Sequence, residues 1–162
     1  MKRLYLVRHA KSSWKDTTLD DFERPLNKRG LNDASFMGSI LNTKKLSADI
    51  IFSSPAMRAK QTAKLINEQF TSPLKITYDE NIYEATLDSL EDIVRNIDNQ
   101  YESVFLFGHN PNFNMFVERY LDINENIPTC GVVGIEFDID NWDEINPKKG
   151  NLLFFEYPKL YK

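Results

Sequence analysis

Short apolar runs alternate along the chain with longer stretches in which apolar residues return every third or fourth position. Leu4-Tyr5-Leu6-Val7 is too brief for a stable helix and reads as a buried strand, ending abruptly in Arg8-His9. The stretch from Lys11 to Arg24 is polar and loop-like. Asn27 then caps a predicted helix that buries Leu31, Ala34, Met37, Gly38 and Leu41. Asp49 to Ser53, carrying Ile50, Ile51 and Phe52, predicts a second buried strand. Ser54-Pro55 is a helix start, because Ser satisfies free N–H groups and Pro at the first helical position gives up no needed donor. Ala56, Ala59, Ala63, Ile66 and Phe70 follow as its apolar stripe.

Lys75 to Tyr78 predicts a third strand, and Leu87, Leu90, Val94 and Ile97 a third helix capped near Thr86. Val104 to Phe107 is the clearest strand. It runs into Gly108-His109-Asn110-Pro111, where the cap-plus-proline device recurs, and Phe113, Phe116, Val117 and Tyr120 give the next helix its buried face. Val132–Phe137 and Leu152–Tyr157 predict an antiparallel pair at the end. The alternation implies an α/β fold with three layers: a mostly parallel central sheet with an antiparallel strand, covered by helices on both faces, with residues 1–162 in a single domain. Ligands of such sheets gather outside the carboxyl ends of the strands.

Charge narrows the partners. The 24 Asp and Glu outnumber 20 Lys and Arg among 162 residues, giving a net charge of −4, which argues against a broad grip on nucleic acid or an anionic membrane. No stretch approaches the roughly 20 apolar residues of a membrane span, and no signal peptide is expected. The single Cys130 can close no intramolecular disulfide and offers no thiolate cluster for a metal, so a reducing, cytoplasmic location is expected.

The chain has only two histidines, and each follows a predicted strand: His9 after Leu4–Val7, His109 after Val104–Phe107. Arg8 adjoins the first, and Arg58 lies on the opening turn of the helix that leaves Ile50–Ser53. One histidine at a strand end is most simply a polar residue satisfied locally. Two of them, with both following helices opening on the same edge, point to one shared cationic pocket. Arginine forks match phosphoryl oxygens, helix N-termini add N–H groups, and a neutral imidazole can attack phosphorus. A two-histidine metal site is the competing reading. No H-x-x-x-H or C-x-x-C spacing supports it, and the arginines would repel a divalent cation.

Four ordered motifs carry a resemblance: Leu6-Val7-Arg8-His9-Ala10-Lys11-Ser12-Ser13-Trp14, Arg24-Pro25-Leu26-Asn27, Ser53-Ser54-Pro55-Ala56-Met57-Arg58-Ala59-Lys60-Gln61-Thr62-Ala63 and Gly108-His109-Asn110-Pro111. Together they resemble the histidine phosphatase superfamily, of phosphoglycerate mutase-like fold, and within it the small SixA-type phosphohistidine phosphatases. The resemblance implies that His9 is the nucleophile, transiently phosphorylated, while Arg8, Arg58 and His109 hold the phosphoryl group. Arg24 is a further phosphate contact or an arginine that orients its loop. Glu84 occupies the region where members of the superfamily often carry the acid that protonates the leaving group. Lys11, Ser12 and Trp14 fall at the pocket mouth. His109 is expected to donate a hydrogen bond to a phosphoryl oxygen, a task its protonated form does better.

No metal or other cofactor is implied. The short segments from Ile76 to Leu87 and from Asp98 to Ser103 leave no insertion to form a lid, which suits phosphohistidine displayed on another protein. A small phosphorylated metabolite, or a non-catalytic module that binds a phospho-ligand, is the alternative. A monomer is expected.

Overall fold

A computed structural model describes residues 1–162. Strands and helices alternate as β1 (Lys2–Arg8), α1 (Lys28–Thr43), β2 (Ile50–Ser53), α2 (Met57–Glu68), β3 (Ile76–Tyr78), α3 (Leu87–Arg95), β4 (Ser103–Gly108) and α4 (Asn112–Leu121), followed by β5 (Val132–Phe137) and β6 (Gly150–Glu156). One sheet holds all six strands in the order β3-β2-β4-β1-β5-β6. Pairs β1–β4, β2–β4 and β2–β3 are parallel, while β5 runs antiparallel to both β1 and β6. Only β5 therefore runs against the rest.

Successive side chains along a strand point to opposite faces, and both faces here are covered. Leu4, Leu6, Val104 and Leu106 pack with Leu90 and Val94 of α3 and Phe116 and Val117 of α4. Their neighbours Tyr5, Val7, Phe105 and Phe107 pack on the other side with Ala34 and Met37 of α1 and Ala63 and Ile66 of α2. Two apolar clusters thus sandwich the sheet in three layers, and this is why β1 and β4 read as unbroken apolar runs.

The same division locates the site. Adjacent strands β1 and β4 send their following helices, α1 and α4, to opposite faces of the sheet. The chain parts at their carboxyl ends, the position at which open α/β sheets bind ligands. No helix is long and apolar enough to cross a membrane.

Some local expectations change. Leu31 is 42% exposed, because the buried stripe of α1 runs through Gly30, Ala34, Met37, Gly38 and Leu41 and leaves position 31 one step off it. Ser54-Pro55 does not open α2 directly: Ala56 is the N-cap and Met57 the first helical residue. Phe70 lies beyond the end of α2 yet still packs against the core. The last strand spans Gly150–Glu156 rather than Leu152–Tyr157.

Candidate active site

In the β1–β4 ladder Arg8 stands opposite Gly108, so His9 and His109 leave the sheet side by side, their ring centroids 5.2 Å apart. A Cβ at position 108 would lie 2.8 Å from the Phe113 ring and 3.0 Å from Ile82, so only glycine lets the strand end fit beneath α4. His9 Nδ1 is 2.7 Å from the Ala10 carbonyl oxygen. A carbonyl can only accept, so Nδ1 carries the proton and Nε2 keeps its lone pair. That Nε2 has no protein partner. Ala10 is itself braced, because its N–H donates to Thr62 Oγ1 on α2 at 3.0 Å.

The second imidazole is oriented by Ser54. Its Oγ accepts the Ala56 N–H at 3.2 Å and lies 2.8 Å from His109 Nε2. With the oxygen accepting from Ala56, the hydroxyl proton is free to go to Nε2, and in that arrangement the ring proton sits on Nδ1. The residue expected as a helix cap therefore also anchors the His109 ring.

The arginines arrive from two more directions. Arg8 Nη1 donates to the Ile127 carbonyl at 2.8 Å, which Asn110 Nδ2 also reaches at 3.0 Å, while Asn114 Oδ1 accepts the Ile127 N–H at 2.9 Å. Arg58 donates from Nη1 to the Asp21 carbonyl oxygen at 2.7 Å and from Nη2 to Asp21 Oδ2 at 3.0 Å. Three buried side-chain nitrogen or oxygen atoms in the protein have no hydrogen-bond partner: Arg8 Nε, Arg58 Nε and His109 Nδ1. Leaving a buried donor unpaired costs about 1–3 kcal/mol, more for a charged group. All three belong to the residues gathered around His9; the two guanidinium atoms are donors, and His109 Nδ1 is one when the ring proton sits there. They form a site that a bound anion would complete.

Burial, above all, pushes His9 down to about 4, helped by Arg58, Arg8 and Arg24 and opposed by the Ala10 carbonyl. Burial again leads for His109, held at about 3, with His9 and Arg58 adding to it. Both rings are neutral at neutral pH, so His9 offers its lone pair and His109 has one N–H to give without an extra proton.

The unfolded chain takes up these protons first, near its ordinary value of about 6.5. The stability the two rings contribute is thus complete above that pH and is lost as pH falls toward their folded values. Thermal unfolding midpoints measured from pH 7 down to pH 4 are expected to fall, with a shallower slope in a His9→Gln/His109→Gln double variant. Equal slopes would show that other groups govern acid sensitivity.

Arg24 is drawn into the loop. Its Nε and Nη2 donate to Asp21 Oδ1 at 3.3 and 3.1 Å, and its Nη1 to Ser12 Oγ at 2.8 Å. Its guanidinium stacks 3.6 Å from the centroid of the Trp14 ring, which is 71% exposed, and its charge reaches His9. Lys11 is exposed, and its carbonyl accepts the Asn27 N–H at 3.0 Å, tying the loop to the start of α1. Glu84 is exposed at a positive φ of 57° on the turn before α3, and its carboxylate makes no hydrogen bond.

The carboxylate that does join the arginines is Asp21, within a stretch that reads only as polar loop. Hydrogen bonds from the Tyr83 hydroxyl, then from Arg58 and Arg24, hold it ionised, down to about 2, against the desolvation that opposes them. Tyr83 also packs edge-on against His109, with centroids 5.6 Å apart. Its signals in the sequence are slight: an acid three residues before Arg24, and a tyrosine beside Glu84. No three His, Cys, Asp or Glu side chains are grouped as a metal would require.

Comparison with known proteins gives the family and the fold. The sequence profile of the Histidine phosphatase superfamily (branch 1) matches residues 4–142. The candidate phosphohistidine phosphatase SixA of Agrobacterium tumefaciens is 26% identical, with a TM-score of 0.82 over 97% of this chain and 98% of that one. The protein histidine phosphatase SixA solved with tungstate is 18% identical, with a TM-score of 0.84 over 99% of each chain. An uncharacterised protein of Mycobacterium tuberculosis is 26% identical over 167 residues, covering 94% of this chain and 100% of its own. The matched span holds both histidines and all three arginines of the pocket, and the chain belongs to branch 1 of the histidine phosphatase superfamily.

Proposed function

We propose that this phosphatase hydrolyses phosphohistidine on a protein through a covalent phosphate on His9, with Arg8, Arg58 and His109 holding the phosphoryl group. The observation that carries the reading is the set of three buried, unpartnered donors, Arg8 Nε, Arg58 Nε and His109 Nδ1, around an imidazole whose Nε2 is free. Phosphoryl transfer passes through a loose transition state with charge on its equatorial oxygens, so fixed donors at those oxygens do most of the work. His9 Nε2 attacks phosphorus in line, the Nε2–P bond forms, and the bond from phosphorus to the leaving nitrogen breaks. Nδ1 keeps its proton, stabilised by the Ala10 carbonyl. His9 is therefore a cationic phosphoimidazolium, and it departs as a neutral ring when water attacks phosphorus and releases inorganic phosphate.

The pocket's proton inventory favours one class of leaving group. Asp21 is ionised at neutral pH, and Tyr83, raised to about 12 first by desolvation and then by Asp21, commits its proton to that carboxylate. An alkoxide leaving from a phosphomonoester needs a proton that neither group is poised to give. A phosphohistidine whose second ring nitrogen is protonated leaves as neutral imidazole without one. The named activity of the SixA proteins supports the same choice.

The test compares turnover on a phosphohistidine protein with turnover on a panel of phosphorylated metabolites, for the wild type and Glu84→Gln. Phosphohistidine is expected to be preferred, and Glu84→Gln to change that rate by less than about threefold. A preferred metabolite would overturn the phosphohistidine reading, and a phosphomonoester rate that collapses in Glu84→Gln would assign Glu84 the acid role for that substrate.

A further inference from the structure

We propose that Asp21 is a positioning residue that selects which edge of the Arg58 guanidinium faces the phosphoryl group. The inference rests on the pocket being a phosphoryl site and not on the identity of the leaving group. A guanidinium offers two forks, an end fork from its two Nη atoms and a side fork from Nε and the neighbouring Nη. Asp21 takes the whole end fork, its backbone carbonyl accepting from Nη1 and its carboxylate from Nη2. The side fork is what remains, with a buried and unpartnered Nε, and its parallel N–H groups suit two oxygens of one phosphoryl group.

The carboxylate is braced as well as bracing. Its Oδ2 accepts the Tyr83 hydroxyl at 2.6 Å, and its Oδ1 accepts from Arg24 Nε and Nη2. Asp21 thereby joins the loop after β1, the first turn of α2 and the turn before α3. It also sets the charge. Three guanidiniums against one carboxylate leave a surplus that matches a phosphoryl dianion, with both imidazoles neutral. Its side chain is half exposed, so replacing it opens no core cavity.

The alternative role is a competitor, an internal anion that must leave before phosphate enters. The two roles predict opposite signs. Inorganic phosphate affinity is measured by calorimetry on the wild type, Asp21→Ala, Asp21→Asn, Arg58→Ala and the Asp21→Ala/Arg58→Ala double variant. Positioning predicts phosphate binding about tenfold weaker in Asp21→Ala, with most of it recovered in Asp21→Asn, whose amide oxygen still accepts from Nη2. In the Arg58→Ala background the added loss is expected to fall to about threefold or less, because the residue through which Asp21 acts is gone.

Tyr83→Phe, which removes only one brace of the carboxylate, is expected to weaken phosphate by about threefold and serves if Asp21→Ala does not fold. Tighter phosphate in the Asp21 variants would show a competitor, and an equal loss with and without Arg58 would show that Asp21 does not act through it. Unchanged affinity in the Asp21 variants and in Tyr83→Phe would likewise overturn the proposal. Phosphate binding is read without turnover, so a failure of phosphohistidine hydrolysis leaves these results separately interpretable.

Discussion

His9→Ala is expected to lower turnover by about 10,000-fold or more and to leave no acid-labile phosphate on the protein, because it removes the atom that forms the new bond. His9 Nε2 is the lone-pair nitrogen at the centre of the pocket, and the Ala10 carbonyl fixes that choice by taking the Nδ1 proton. The proposed anion donors are Arg8, Arg58 and His109, so the variant is expected to keep binding inorganic phosphate within about threefold of the wild type. Retained phosphate binding with lost phosphoenzyme separates a missing nucleophile from a damaged pocket. A variant that still accumulates phosphate on the protein would place the nucleophile elsewhere.

The second large effect is at His109. Removing one preorganised donor to a developing oxyanion costs on the order of 100- to 1,000-fold, so His109→Ala is expected to form phospho-His9 slowly but detectably. The proposed donor is a neutral ring, and Ser54 Oγ at Nε2 leaves Nδ1 as the nitrogen facing the phosphoryl group in that proposal. Ser54→Ala, with the ring intact but its anchor at Nε2 removed, is therefore expected to lose less, about tenfold. His109→Gln restores an N–H and is expected to recover part of the loss. Rapid-quench rates of phosphoenzyme formation order these variants. A wild-type rate that drops as pH rises through about 6.5, with the drop absent in His109→Gln on the same substrate, would instead show that His109 acts as imidazolium.

The residues legible before folding are those whose position a short apolar run announces. Arg8, His9 and His109 follow runs that could be nothing but buried strands, and parallel pairing then places two strand ends side by side. Arg58 was legible through its place just after the second strand. Leu31 was misjudged because a helix stripe can be drawn through either of two adjacent apolar positions, and only the packing against α2 picks the phase.

Asp21, Tyr83 and Ser54 were harder for a different reason. Asp21 lies in a polar segment with no periodicity, and its roles depend on Arg58 and Tyr83, which are 37 and 62 residues away. Ser54 carries a local signal, a serine before a proline, that is complete as a capping argument and gives no hint of the bond to His109 some 55 residues on. Glu84 shows the converse. Its neighbourhood resembles one that holds an acid, yet the turn at positive φ leaves its carboxylate exposed and unbonded.

The measurement that bears most directly on a phosphoryl group held at His9 is isolation of the reaction intermediate. Wild-type protein is mixed with a labelled phosphohistidine donor, quenched in alkali and digested, and the labelled peptide is sequenced by mass spectrometry. The expected result is a single acid-labile phosphate on His9, attached at Nε2, that forms and decays at rates consistent with turnover. Label on His109, or full turnover with no phosphoenzyme on either histidine, would contradict it.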